Sequence, residues 1–189
     1  MKYIISFLLS LLGACSLIGN GLANQYHYLP HAHFIPPLQN YHAIHVELQL
    51  ASYLNTSSMV VGNTDDTVIF TNQNQWIGSL SEAIRNNLSN RLNELGQREQ
   101  RFFTIDTNHQ QTKKLVIFIE RFQGNVDGTA RVTGYAKLLN QEDEVQKAND
   151  FDIKVKQHQN GYPAMLQALD QALKLSLIHI SEPTRPLYI

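Results

Sequence analysis

The sequence predicts an α+β domain, with a mainly antiparallel sheet of five to seven strands and two main helices packed on one face. Three observations carry this expectation. Several stretches alternate apolar and polar residues at the period of a half-buried strand, two others repeat apolar residues every three or four positions, and turn-forming clusters join strand-like pieces in pairs.

Taken in order, Tyr26 to Pro30 reads as a short first strand, closed by a proline that has no ladder donor to give. His31 to Tyr41, containing Pro36-Pro37, reads as a loop. Between Ala43 and Leu50 the residues Ile44, Val46, Leu48 and Leu50 fall on one side, and His45, Glu47 and Gln49 on the other. Ala51 to Asn55 reads as a turn of helix. Ser58 to Gly62 and Thr67 to Thr71 then form a hairpin across Asn63-Thr64-Asp65-Asp66.

Ser79-Leu80-Ser81-Glu82 is a capping box, in which the serine hydroxyl accepts an early helix N–H. Leu80, Ile84, Leu88, Leu92 and Leu95 make one apolar stripe behind it, and Gly96 stops the helix. Phe102 to Ile105 is a short strand. Lys114 to Phe122 and Thr129 to Leu139 are long strands joined through Gly124 to Gly128, and Val145 to Gln157 adds a weaker one with Phe151, Ile153 and Val155 alternating. Gly161-Tyr162-Pro163 opens the closing helix, proline suiting its first turn, with Leu166, Leu169 and Leu173 on one side.

Both ends of the chain read as something other than fold. Lys2, an apolar run from Tyr3 to Leu12 and the small pair Gly13-Ala14 precede Cys15, the only cysteine. This is the pattern of a secretory signal cut before a lipid-modified cysteine. The run has ten residues, whereas a membrane span needs about twenty. Residues 1–14 are therefore expected to be a signal peptide, 15–25 a lipidated tether and 26–174 the domain. A diacylglycerol thioether and an amide-linked fatty acyl group on Cys15 exceed the roughly two hydrophobic signals that hold a protein stably on a membrane. At the other end, Leu175 to Arg185 matches the translation of a transposase-type sequencing adapter. Residues 175–189 are read as an artefact, with the native chain leaving this sequence near Lys174 and its last helix cut.

The remaining 160 residues suit a single domain with its own core. Thirteen basic and fifteen acidic side chains lie between Cys15 and Lys174, with no Lys/Arg cluster, which argues against a nucleic-acid partner. With Cys15 assigned to lipid, no disulfide is available. No nucleophile elbow, His-Glu-x-x-His motif or phosphate-cradling glycine loop occurs, and the carboxylates Glu142-Asp143-Glu144 and Asp65-Asp66 sit in polar, turn-like stretches, so no enzyme is expected. His31, His33, His42 and His45 are ligand types that zinc favours, yet no cysteine or carboxylate completes a ligand spacing, and no metal is expected. Trp76, the lone tryptophan, reads either as a core anchor or as a partner-facing hot spot. Tyr26, Tyr28, Tyr53 and Tyr162 share that ambiguity.

The order of Cys15, Tyr26-His27-Tyr28-Leu29-Pro30, Val46 to Leu54 with Tyr53-Leu54, Asn74-Gln75-Trp76 before the capped helix, Phe122 to Gly128, and Gly161-Tyr162 resembles the PqiC family of paraquat-inducible ABC-type transport auxiliary lipoproteins. The resemblance implies a non-enzymatic, lipid-anchored docking subunit of a periplasm-spanning lipid-transport system that supports envelope integrity. It implies an MCE-domain tunnel protein, PqiB-like, as partner, a homo-oligomeric ring as an assembly, and no cofactor beyond the acyl groups on Cys15. Ser16 stands where an aspartate would retain such a lipoprotein at the inner membrane, so the similarity points to the periplasmic face of the outer membrane. The competing expectation is a free-standing periplasmic lipoprotein that binds a lipid or peptide in an apolar groove.

Overall fold

Thirteen consecutive residues of one strand, β6 (Lys113–Asn125), hold the molecule together by taking neighbours along both edges. The computed structural model describes residues 23–30, 32–34, 36, 41–63, 65, 67–95, 100–104 and 112–181. Before β6 come β1 (Gln25–His27), β2 (His42–Leu50), a 3-10 turn (Ser52–Leu54), β3 (Ser58–Gly62), β4 (Val68–Trp76), helix α1 (Leu80–Leu95) and β5 (Gln100–Phe103). After it come β7 (Thr129–Leu139), β8 (Val145–Lys156) and helix α2 (Tyr162–Ser181).

Among the described residues eight strands form one sheet, and it is mixed. On one edge β6 pairs antiparallel with β7, which pairs antiparallel with β8. On the other edge β6 takes two parallel partners in succession: β2 along Lys113 to Ile119, then β3 at Gly124 and Asn125. Strand β5 adds parallel to β2, β4 adds antiparallel to β3, and β1 adds parallel to the last three residues of β4. This corrects the expected sheet of five to seven mainly antiparallel strands, since four of the seven pairings are parallel. The physical reason is that a parallel pair needs a long crossover, here α1 between β4 and β5, while apolar alternation fixes a residue's face and leaves its neighbour open.

Where a sequence signal was strong, the element follows it. Ser79 Oγ accepts from the Glu82 N–H at 3.3 Å, the serine half of the capping box, and Leu80, Ile84, Leu88 and Leu92 are buried along α1. Leu95 closes the helix exposed, so the stripe ends one turn earlier than its spacing suggested. The first strand is shifted to Gln25–His27, because its partner β4 ends at Trp76. Helix α2 runs to Ser181, with Leu177 and Ile180 buried. Cys15, His31, Gly96 and Ile105 lie outside the described residues.

The core sits between the sheet and the two helices. Val46, Ile117, Ile119, Phe122 and Val132 from the strands meet Ile84 and Leu88 of α1 and Leu169, Leu173 and Leu177 of α2, all with almost no exposed surface. Each such side chain contributes about 1.5–3 kcal/mol by leaving water. The helices are clamped to each other by Arg91, whose guanidinium donates to both carboxylate oxygens of Asp170 at 2.7 Å. Asn87 joins this clamp, donating to Asp170 at 3.2 Å and to the Pro30 carbonyl at 2.6 Å, so the segment after β1 is strapped across α1.

Between Ile119 and Arg121 the β6–β7 register slips by one residue, leaving Glu120 as a bulge. Gly134 faces that slip. A methyl group there would press on the Phe118 carbonyl oxygen, a backbone atom that cannot swing aside. Gly134→Ala is therefore expected to lower stability by about 1–3 kcal/mol, read as an earlier urea midpoint at unchanged m-value. An unchanged midpoint would show that β7 does not approach β6 this closely.

Candidate functional site

Val68-Ile69-Phe70 puts three apolar residues in consecutive strand positions, and since strand side chains alternate between faces, one packed face cannot hide them all. They are 37%, 51% and 44% exposed. Their strand lies outside β3, with Val60 opposite Phe70, Val61 opposite Ile69 and Gly62 opposite Val68. Strand β1 covers only Asn74 to Trp76, so among the described residues the outer backbone edge of β4 from Val68 to Gln73 has no strand partner. An open edge carrying exposed apolar side chains is a template for association.

Next to this edge lies a cavity of about 520 Å³, lined by residues that include Tyr53, Val68, Arg121, Gln123, Val126 and Asp127. It is framed by the tips of two hairpins: Asn63 N–H donates to the Thr67 carbonyl at 2.8 Å in one, and Val126 N–H ties the other to the Gly62 carbonyl at 3.1 Å. Gly62 lets β3 lie against Gln123, because a side chain at 62 would occupy the space of that amide. Gln123 in turn donates to Asn125 Oδ1 at 3.2 Å, and Asn125 to Thr129 Oγ1 at 3.0 Å, which holds the wall of the cavity in place.

The charges around the cavity are mostly paired with one another. Arg131 forks onto Asp152 at 2.8 and 2.6 Å, and Lys154 reaches Asp127 at 2.9 Å. Hydrogen bonding from Arg131 holds the Asp152 carboxyl below its ordinary pKa, and the Thr129 hydroxyl, followed by Lys154, does the same for Asp127. Burial raises the pKa of the Tyr53 phenol, which donates to the Glu120 carbonyl at 2.9 Å. The Arg121 guanidinium makes no hydrogen bond among the described residues, and it lies close enough to Tyr53 and Asp152 to act on both electrostatically. Further along the helix-free face, Phe118 and Tyr135 stack at 5.3 Å with Lys137 over the tyrosine ring. These are groups that position and recognise; no nucleophile paired with a base is among them.

The residues singled out from sequence are scattered. Trp76 is buried and meets the Phe122 ring at 5.8 Å between centroids, so it packs in the core at the end of β4. His33 and His42 are exposed, and His45 lies on the polar side of β2. Among the described residues no group of three His, Cys, Asp or Glu side chains is arranged to hold a metal. Tyr26 and Tyr28 are exposed, Tyr53 and Tyr162 half-buried. Sequence reasoning passed over Val68 to Phe70 and Arg121. Its usable signal was the break in alternation, three apolar residues in a row next to a turn.

Residues 36–180 match the family model described as the ABC-type transport auxiliary lipoprotein component. No curated protein matches the chain. Among solved structures, one described as an uncharacterized protein shares 21% identity and a TM-score of 0.73 over 84% of this chain and 97% of its own. Protein XCC0632 from Xanthomonas campestris shares 16% identity and a TM-score of 0.63 over 82% of this chain and 93% of its own. Both likenesses concern the fold.

Two outcomes follow from the geometry. Trp76→Ala is expected to lower stability by about 3–5 kcal/mol by urea unfolding, whereas Phe70→Ala, at an exposed position, should stay within about 0.5 kcal/mol. Comparable losses would mean that Phe70 belongs to the core. Because folding depresses the carboxyl pKa values of Asp127 and Asp152, their stabilising contribution is present above about pH 4 and is lost as pH falls through the folded values. Unfolding series at pH 7 and 3 should show that loss, and Asp127→Asn with Asp152→Asn should flatten it.

Proposed function

We propose that this chain, which belongs to the family of ABC-type transport auxiliary lipoprotein components, is a lipid-anchored docking subunit whose β4 edge and adjoining cavity receive another component of a transport system. The acyl groups on Cys15 would hold it at the periplasmic face of the outer membrane. Its partner on this reading is the MCE-domain tunnel protein of a Pqi-like lipid-transport pathway, and the chain itself carries out no catalysis.

The observation that carries the reading is the exposed row Val68-Ile69-Phe70 on an unpaired strand edge. Such an edge offers main-chain hydrogen bonds for affinity and alternate side chains for selectivity when an extended segment adds to it. With 37–51% of each residue still exposed, completing their burial contributes about 1 kcal/mol each. A tether confining both partners to one membrane raises their effective concentration, so a contact that is weak in solution is occupied at the surface.

A second reading, a free-standing lipid-binding lipoprotein, finds support in an apolar cavity lined by Ile44, Leu92, Phe102, Leu115 and Leu138 among others. Its volume of about 240 Å³ is below the roughly 300–1,000 Å³ of most small-molecule sites. The docking reading is therefore preferred.

Ile69→Asp with Phe70→Asp should leave the fold and the membrane fractionation unchanged, yet reduce crosslinked recovery of an MCE-domain protein from membranes about tenfold or more, the equivalent of about 1.4 kcal/mol. Equal recovery from the variant and the parent would remove β4 from the interface. Cys15→Ala should release the protein from membranes. Co-purification of a stoichiometric lipid with a monomer, and of no partner, would favour the second reading.

A further inference from the structure

We propose that the end of the molecule around β1 rests directly on the bilayer surface, so that the domain is oriented by a protein–lipid contact as well as tethered by its acyl groups. This rests on the reading of Cys15 as the acylated residue. The starting observation is the distribution of charge. Residues 3–46, 48–64, 67–81 and 157–169 contain no Asp, Glu, Lys or Arg.

The fold brings parts of these four segments together. Strand β1 pairs with Asn74 to Trp76, Ile77 N–H donates to the His27 carbonyl at 3.0 Å, and Trp76 N–H donates to the Ser57 carbonyl at 2.7 Å. The His27 ring stacks on Tyr162 at the start of α2, with 5.8 Å between centroids. Between the 3-10 turn and the first turn of α1 lies a cleft of about 290 Å³ whose lining residues, Asn55, Ser57 and Gly78 among them, are all uncharged. On and just after β1, Tyr26 and Tyr28 are 57% and 63% exposed, and Ile77, next to the cleft residue Gly78, is 44% exposed.

Amides, hydroxyls, tyrosine rings and an isoleucine without formal charge are the side chains that the headgroup layer accepts: tyrosine is enriched there, and ionised groups are costly to carry deeper. The ion pairs Arg131–Asp152, Lys154–Asp127 and Lys114–Asp143 lie elsewhere, on β6, β7, β8 and their turns; the charges nearest this end are the largely buried pair Arg91–Asp170, joined through Asn87 to the Pro30 carbonyl, and the exposed Glu82 in the first turn of α1. The tether decides between a membrane and a protein as the occupant of this end. Ala23 is eight residues after Cys15, a reach of at most about 27 Å, while a domain of this size is roughly 40 Å across. The acyl anchor therefore holds the β1 end within reach of the bilayer, and the far side of the domain stays outside that reach.

The test uses the full-length acylated protein, in which Cys15 offers no free thiol and an introduced cysteine can be labelled alone. Gln25→Cys, Asn55→Cys and Gln146→Cys, each carrying an environment-sensitive fluorophore, are reconstituted on phosphatidylethanolamine/phosphatidylglycerol vesicles containing doxyl-labelled lipid. Gln146 lies on β8, whose neighbour Lys147 reaches the Ile180 carbonyl near the far end of α2, and the helix carries that carbonyl about 27 Å from Tyr162. Quenching is expected at 25 and 55 and not at 146, and Tyr26→Ser with Tyr28→Ser and Ile77→Ser should abolish it while flotation with the vesicles persists. Flotation with no quenching at 25 and 55 overturns the inference and leaves the anchoring intact. Unquenched probes that become shielded only when a partner protein is added assign this end to a protein and also overturn it. Loss of flotation in the parent protein overturns the anchoring reading and this inference with it.

Discussion

The single extra residue in β6 sets the arrangement of everything around it. Up to Ile119 the odd-numbered residues Leu115, Ile117 and Ile119 point into the core; after the slip at Glu120 the core residue is the even-numbered Phe122, while Gln123 is buried on the other face against Gly62. A bulge shifts the parity of every side chain beyond it. Without that shift, Phe122 would turn to the other face and lose its contact with Trp76, while Arg121 and the Gln123 amide would be turned toward the apolar layer. Burying an unpaired guanidinium costs far more than the one ladder bond that a bulge gives up.

The same slip explains how one edge of β6 serves two strands. Strand β2 follows that edge as far as Leu50 opposite Ile119, where Ala51 N–H still donates to the Ile119 carbonyl at 2.9 Å. The chain then leaves the sheet through the 3-10 turn and returns as β3 at Gly124. Tyr53 covers the gap, its hydroxyl bonded to the Glu120 carbonyl that the bulge turns outward. The β3–β4 hairpin is thereby set apart from β2, and among the described residues its outer edge from Val68 to Gln73 has no strand beside it.

How much of this was legible in the sequence follows from what each pattern encodes. The serine cap and the fourfold repeat of Leu80, Ile84, Leu88 and Leu92 are local, and the helix they specify is where they place it. The two glycine-flanked hairpin strands, β6 and β7, are local in the same sense. Parallel pairing is not: whether β5 lies beside β2 depends on where α1 delivers the chain, and no residue of β5 records it. The bulge was recorded, in the step of three from Ile119 to Phe122 where a regular strand steps by two. Val68 to Phe70 left a similar trace, a run without alternation whose meaning depends on β1 being too short to cover it.

The energetics separate two kinds of surface on this protein. The helix-free face carries several of its charges in pairs, and exposed ion pairs of this sort contribute about 0–1 kcal/mol each, so they shape the face without driving association. The apolar edge and the uncharged end lie at opposite ends of β4, and eight strand steps from Trp76 to Val68 span roughly 26 Å. A partner seated on one therefore need not displace a bilayer touching the other. On the proposed readings, that separation would let one small domain meet a membrane and a second macromolecule at once, with β4 setting the distance between them.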